Sequence, residues 1–280
     1  MGCCKTLADE VFLFGVHQHV RAQLVNSKPT GEAMAESNIE WTEHTWNPVT
    51  GCTKLSPGCK HCYAETMSHR LKAMGASGYQ DGFKLTLHPE RLQQPLLRKK
   101  PTTYFVNSMS DLFHEEVPDE YIEKVLEVCR VTPQHTYQVL TKRGERLESF
   151  FKQRNCPSNV WLGVSVEDKK YGVPRIAHLR RIKAAVRFLS VEPLLEDVGK
   201  LNLKDIHWVI VGGESGVQAR IMKPEWADSV RIQALAQGVA FFFKQWGAFG
   251  SDGVRRGKKL NGRKLHGRLW DDFPIKVVSA

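Results

Sequence analysis

From about residue 100 onward, short runs rich in Val, Ile, Phe and Tyr alternate with stretches of helical periodicity, and this rhythm constrains the fold most. The runs Thr103–Asn107, Tyr137–Leu140, Val160–Val164, Arg187–Ser190, Trp208–Val211 and Val239–Phe243 read as strands, several of them apolar on both faces, as buried parallel strands are. An earlier strand is expected within Trp41–Trp46. Between them, Pro118 suits a first helical turn before the stripe Ile122, Val125, Leu126 and Cys129, which makes Cys129 a core thiol. Pro224 opens another helix with Trp226, Val230 and Leu235 on one side, and Ala64, Met67, Leu71 and Met74 form a stripe ending at Gly75. The stretch Ala76–Pro101 reads as an insertion with a short helix at His88–Leu97. The expected fold is α/β, an incomplete (β/α) barrel of about six to seven parallel strands.

A chain of 280 residues is of ordinary size for one such barrel, and an apolar share of 41% permits a large core. The barrel is expected at residues 34–248. Met34-Ala35-Glu36-Ser37 makes a natural start, so residues 1–33 read as a dispensable N-terminal extension. Residues 249–280 read as a basic, loop-like or flexible tail. Between Ser251 and Arg268, seven Lys and Arg side chains face Asp252 alone, so this segment carries +6 of the chain's +10. Such a patch tracks phosphates or merely aids solubility. No apolar run approaches bilayer-spanning length, and the start, with Asp9 and Glu10 before the short run Val11–Val16, shows no secretion signal. Seven cysteines in a chain of this size do not make a disulfide scaffold. A reducing cytoplasm, with no membrane partner, is the expected setting.

Three of those cysteines crowd into one loop, Gly51-Cys52-Thr53-Lys54-Leu55-Ser56-Pro57-Gly58-Cys59-Lys60-His61-Cys62, with no fourth at a matching distance. A structural zinc site closes with four ligands, and an electron-transfer iron–sulfur cluster normally takes four thiolates. Three thiolates ahead of a helix opening Tyr63-Ala64-Glu65 suit a [4Fe–4S] cube with one iron left open.

Further segments stand beside that loop: Asn38-Ile39-Glu40-Trp41-Thr42, Trp46-Asn47-Pro48-Val49-Thr50, Ser190-Val191-Glu192-Pro193-Leu194, Val211-Gly212-Gly213-Glu214-Ser215-Gly216 and Phe243-Lys244-Gln245-Trp246-Gly247. Through them the chain resembles an uncharacterised phage- and prophage-associated family with a three-cysteine loop and, more broadly, the radical S-adenosylmethionine superfamily. The superfamily loop reads C-x3-C-x2-C with an aromatic before the last cysteine. Here the first gap is three residues longer and His61 holds the aromatic position. The resemblance implies a radical-SAM-like barrel in which Cys52, Cys59 and Cys62 hold a [4Fe–4S] cluster and the open iron chelates S-adenosyl-L-methionine. It implies cleavage of that cofactor, by one electron from an external donor, to methionine and a 5′-deoxyadenosyl radical. The basic tail and the phage-like resemblance point to a nucleic acid or nucleotide as substrate, for modification or repair.

In parallel β/α barrels the reactive residues gather where strands end and loops converge. Polar groups follow each expected strand from Thr103 onward: Ser108 and Ser110, then Lys142 and Arg143, then Ser165, then Glu192, then Gly212-Gly213-Glu214, then Lys244. Ser165 is equally a helix cap. Glu192 follows an apolar strand and must face the mouth or find a partner. Gly212-Gly213-Glu214 resembles the superfamily's glycine-glycine-glutamate segment, which binds the cofactor's amino group but follows the second strand; at that position this chain has Ser108 and Ser110. The cofactor candidates are therefore Ser108, Ser110, Ser165, Glu192, Gly212, Gly213 and Glu214. Lys142, Arg143, Lys244, Arg255 and Arg256 are the candidates for substrate contact. A second reading is a zinc-dependent nucleic-acid-binding protein without catalysis, using the three cysteines and a histidine such as His61, His69 or His114.

Overall fold

The computed structural model describes residues 36–274, so the extension at residues 1–33 lies outside the described residues. Seven parallel strands form one sheet curved into a half-barrel: β1 (His44–Trp46), β4 (Thr103–Val106), β5 (Thr136–Thr141), β6 (Val160–Ser165), β7 (Val186–Val191), β8 (Trp208–Gly212) and β9 (Ala240–Gln245), hydrogen-bonded in that order. Two short strands, β2 (Val49–Thr50) and β3 (Thr86–Leu87), pair antiparallel beside it. Every strand expected from the sequence is present, with ends shifted by a residue or two.

The alternation of side chains along these strands separates two cores. Tyr104, Val106, Leu162, Val164, Leu189, Val191, Val209, Val211, Phe241 and Phe243 face the outer helices α2 (Asp119–Val131), α3 (Gly144–Phe151), α4 (Gly172–Arg180) and α5 (Pro224–Ala236). Phe105, Trp161, Phe188, Trp208, Ile210 and Phe242 fill the concave side, with Trp41 inserted among them. The Trp41 ring meets Phe105 edge-on at 4.8 Å and Trp208 at 6.2 Å. The α2 stripe is buried as its periodicity predicts, Cys129 included.

Three local expectations are corrected. Helix α1 (Tyr63–Ala73) buries Ala64 and Ser68, while Met67 and Met74 are exposed, because this helix packs only against a small cluster around Tyr79 and Met109. In α5 the buried side is Ala227, Val230 and Ala234, and Leu235 faces solvent. Residues 88–97 hold two 3₁₀ turns, Pro89–Arg91 and Gln94–Leu97, in place of one helix, each with a proline at its first or second position. Between β7 and β8 no helix forms; an irregular segment buries Leu194, Val198, Leu201, Leu203 and Ile206 in its stead.

The glycine-rich basic segment is loop-like but docked. Asp271 bridges antiparallel to Phe242 on the outer edge of β9, the Phe243 N–H donates to the Trp270 carbonyl at 2.8 Å, and Leu265 and Trp270 are buried. At the opposite edge Glu36 bridges to His44 of β1. Both free edges of the sheet are thus covered. Among the described residues no helix is long and apolar enough to cross a membrane.

Candidate active site

The carboxyl ends of the strands and the cysteine loop enclose one cavity of about 470 Å³. Its wall includes Cys52, Cys59, Cys62, Ser108, Ser110, Ser165, Glu192, Gly213 and Glu214, together with Lys142, Arg143 and Lys244. Gly212, Arg255 and Arg256 are not part of that wall, whereas Lys258 of the basic segment is. Ile39, Trp41, Phe105, Leu140 and Phe83 give it an apolar side. Phe83 comes from the insertion, whose carbonyl also accepts the Cys52 N–H at 3.2 Å.

Three arginines tie the cysteine loop to the strand ends. After β5, Arg143 donates to Asp111 at 3.0 Å and to Thr53 Oγ1 at 3.1 Å. After β6, Glu167 is wholly buried; it accepts from Arg175 at 2.6 Å and from the Ser56 hydroxyl. After β8, Arg220 grips both oxygens of Glu214 at 2.6 and 2.8 Å and donates to the Pro57 carbonyl at 3.1 Å. Each carboxylate is held by a guanidinium, the pairing that offsets the cost of burying a charge.

These contacts reassign several candidates. Arg143 is buried and has its donors engaged within the chain, although it forms part of the cavity wall. A Cβ on Gly213 would lie 2.0 Å from the Trp246 carbonyl, and one on Gly212 would lie 2.5 Å from Glu192 Oε1. The glycine pair therefore lets Glu192 and the Trp246 carbonyl come close, and Gly213 also faces the cavity. Arg255 donates to the Gly216 and Val217 carbonyls, and Arg256 pairs with Asp252 at 2.6 Å. Glu192 points into the mouth and has a partner as well: Lys244 Nζ lies 3.2 Å away, and the Ser190 hydroxyl donates at 3.1 Å. Lys142 Nζ donates to Ser165 Oγ at 3.0 Å. Ser110 Oγ donates to the Val49 carbonyl at 2.8 Å and Ser108 Oγ to Asn47 Oδ1 at 3.2 Å, leaving both hydroxyl oxygens able to accept.

Asp111, Glu167, Arg175 and Arg220 were not among the cofactor or substrate candidates. Asp111, Glu167 and Arg220 do stand in the polar stretches that follow strands in the sequence, the signal that could have found them.

Burial, then the nearby Asp111, pushes the Cys52 thiol up to about 11, against an opposing pull from Arg143. Without metal it therefore stays a thiol at neutral pH, and metal binding there releases a proton. Burial also pushes Glu214 up, but the Arg220 hydrogen bonds outweigh it and hold the carboxyl below its ordinary value.

The three cysteines are half-buried and form no disulfide. Among the described residues no three His, Cys, Asp or Glu side chains converge as a site for a single metal ion, which tetrahedral zinc would require. His114, one of the histidines considered for zinc, has Nε2 at 2.8 Å from the Thr53 hydroxyl and Nδ1 accepting the Glu116 N–H. In an iron–sulfur cube each thiolate binds its own iron, so three free thiols on one loop are donors of the kind a [4Fe–4S] cluster takes.

Solved structures similar to this chain include spore photoproduct lyase complexed with dinucleoside spore photoproduct, at 12% identity and a TM-score of 0.46, covering 73% of this chain and 64% of that one. A cysteine-to-alanine mutant of spore photoproduct lyase matches at 14% identity and a TM-score of 0.45, covering 67% of this chain and 60% of that one. A double mutant of the same enzyme with bound AdoMet and dinucleoside spore photoproduct matches at 14% identity and a TM-score of 0.43, covering 72% and 62%. The chain thus spans about 60% of the length of the first of these proteins it matches. No curated protein matches it. One family model matches residues 36–274, and by that match the chain belongs to the family described as "Protein of unknown function (DUF5131)".

Proposed function

We propose that this protein is a radical S-adenosylmethionine enzyme acting on a nucleic acid or nucleotide. The observation that carries the reading is the placement of three unpaired thiols on one loop, across a single cavity from the polar strand ends of a parallel half-barrel. Cys52, Cys59 and Cys62 would hold a [4Fe–4S] cluster, which when bound supplies one electron to a sulfonium and so opens hydrogen abstraction at unactivated carbon. The chain's part is to orient and to exclude water. Lys142 donates to the Ser165 hydroxyl and lies in the field of Glu167, and its ammonium keeps further donors for the cofactor carboxylate or a phosphate. The oxygens of Ser108 and Ser110 can accept from an ammonium or a ribose hydroxyl. Trp41, Phe105 and Leu140 offer a dry face to the reacting centre.

The test is anaerobic reconstitution with iron and sulfide. The expected product is a brown protein with about four irons per chain, which after reduction converts S-adenosylmethionine to 5′-deoxyadenosine. A colourless protein carrying one zinc would sink the reading.

For the nucleic-acid part, the support is the basic segment packed beside the mouth, from which Lys258 enters the cavity wall and pairs with Glu40 at 2.7 Å. Binding of a mixed-sequence oligonucleotide should weaken with salt, with a log–log slope of about −0.7 to −0.9 per phosphate contacted. Lys259→Ala/Lys264→Ala should flatten that slope, both side chains being exposed. Arg256→Ala and Lys258→Ala should do so less, because Arg256 is already paired with Asp252 and Lys258 with Glu40. A slope indifferent to salt would move the substrate away from nucleic acid.

A further inference from the structure

We infer that Arg143 acts as a positioning and tuning residue, fixing the reduction potential of the cluster by donating a hydrogen bond to the Cys52 sulfur. This rests on the radical-enzyme reading above, since it concerns the group the three thiols would hold. Arg143 is buried, and its fork is locked by the chain. Nε donates to Glu115 Oε2 at 2.8 Å, Nη2 to Thr53 Oγ1 at 3.1 Å, and Nη1 to Asp111 Oδ2 at 3.0 Å and to Cys52 Sγ at 3.6 Å.

Asp111 is itself fixed at the end of β5, accepting from the Thr141 hydroxyl at 2.7 Å and from the Lys142 N–H at 3.1 Å. The guanidinium therefore cannot swing into the cavity, and its one contact with the reactive machinery is the sulfur. A donor on a ligand sulfur draws electron density from it and favours the more negative, reduced state of a cluster. Burial strengthens the effect, because little water competes for the sulfur. The planar fork is what serves several partners at once; lysine has a single ammonium on a flexible stem. Glu115 is exposed, so its opposing charge is screened, whereas Asp111 is buried beside the cation and offsets its charge, so what Arg143 brings to the sulfur is the directed hydrogen bond.

The experiment is a redox titration of the reconstituted protein followed by electron paramagnetic resonance, for the wild type, Arg143→Lys and Arg143→Gln/Asp111→Asn. The double variant avoids stranding a buried carboxylate. Iron content per chain should match wild type, and Arg143→Lys, which keeps Asp111 and a cation but loses the fixed N–H on the sulfur, should titrate at more negative potential; the double variant should shift by less, because the charge of Asp111 leaves together with that of Arg143. Equal potentials at equal iron content would overturn the tuning role. Failure of both variants to hold iron would also overturn it, making Arg143 a scaffold for the loop. A wild type that holds no iron would instead sink the enzyme reading, and this inference with it.

Discussion

Replacing Cys52, Cys59 or Cys62 by alanine is expected to abolish the iron-dependent colour and all formation of 5′-deoxyadenosine, while leaving the apoprotein folded. The asymmetry follows from where the thiols sit. They are half-buried on a loop whose anchors are Thr53, Ser56 and Pro57, so removing a sulfur takes away little packing. Away from packed or paired sites, substitutions usually change stability by about 0.5 kcal/mol or less. Cys52→Ala also deprives Arg143 of one acceptor, but Asp111, Glu115 and Thr53 still satisfy that guanidinium. Iron content by colorimetric assay, beside a thermal melt of each apoprotein, separates the two effects. A full cluster in Cys52→Ala would mean that the long first gap of the loop has another ligand to offer.

Glu167→Ala is expected to be the most damaging single change to stability. Glu167 is wholly buried and paired with Arg175 at 2.6 Å, and Arg175 also donates to the Ser165 carbonyl at 2.8 Å. Removing one partner of a buried pair typically costs about 3–5 kcal/mol. At roughly 2–4 °C per kcal/mol for a domain of this size, the melting temperature should fall by about 10 °C. Burial pushes the Glu167 carboxyl up, yet Lys142 and Arg175 more than offset it and hold the group below its ordinary value. Its contribution is then fully present above the ordinary carboxylate range and is lost as pH falls through the lowered one. Ser56→Ala is the companion: it cuts the link to the cysteine loop but leaves Glu167 and Arg175 paired, so it should reduce iron retention more than stability. A melting temperature for Glu167→Ala within about 2 °C of wild type would show that the pair carries little of the fold.

The strands were legible because several are runs of apolar residues on both faces, and a half-barrel with filled inner and outer cores demands that. The loop's thiols were legible because their spacing is local. The arginine ties were not, since Thr53 and Arg143, Ser56 and Glu167, Pro57 and Arg220 are each separated by ninety residues or more. Charges after a strand look alike in sequence whether they meet solvent or a carboxylate, and only the order of strands decides it. Gly212 and Gly213 were only half legible for a related reason. A glycine pair announces a close approach but not what approaches, and here it is Glu192 and the Trp246 carbonyl. The Met67 and Met74 stripe had the right period, but α1 lacks a large apolar surface to lie on.

The covering of both sheet edges by the two ends of the described chain bears on how the protein is made. Trp208 and Phe242 of the inner core are closed over by Phe273, at 5.0 and 5.5 Å, and the Trp208 indole donates to the Asp272 carbonyl. Trp41, from the other end, fills the same interior. A nascent chain leaving the ribosome thus keeps part of its aromatic interior open until the segment after β9 emerges. Contacts that distant in sequence form slowly, and exposed apolar surface invites aggregation in the meantime. Translation halted after β9 should leave a nearly complete sheet that stays uncapped on one side, a species for chaperones and proteases rather than a smaller working protein.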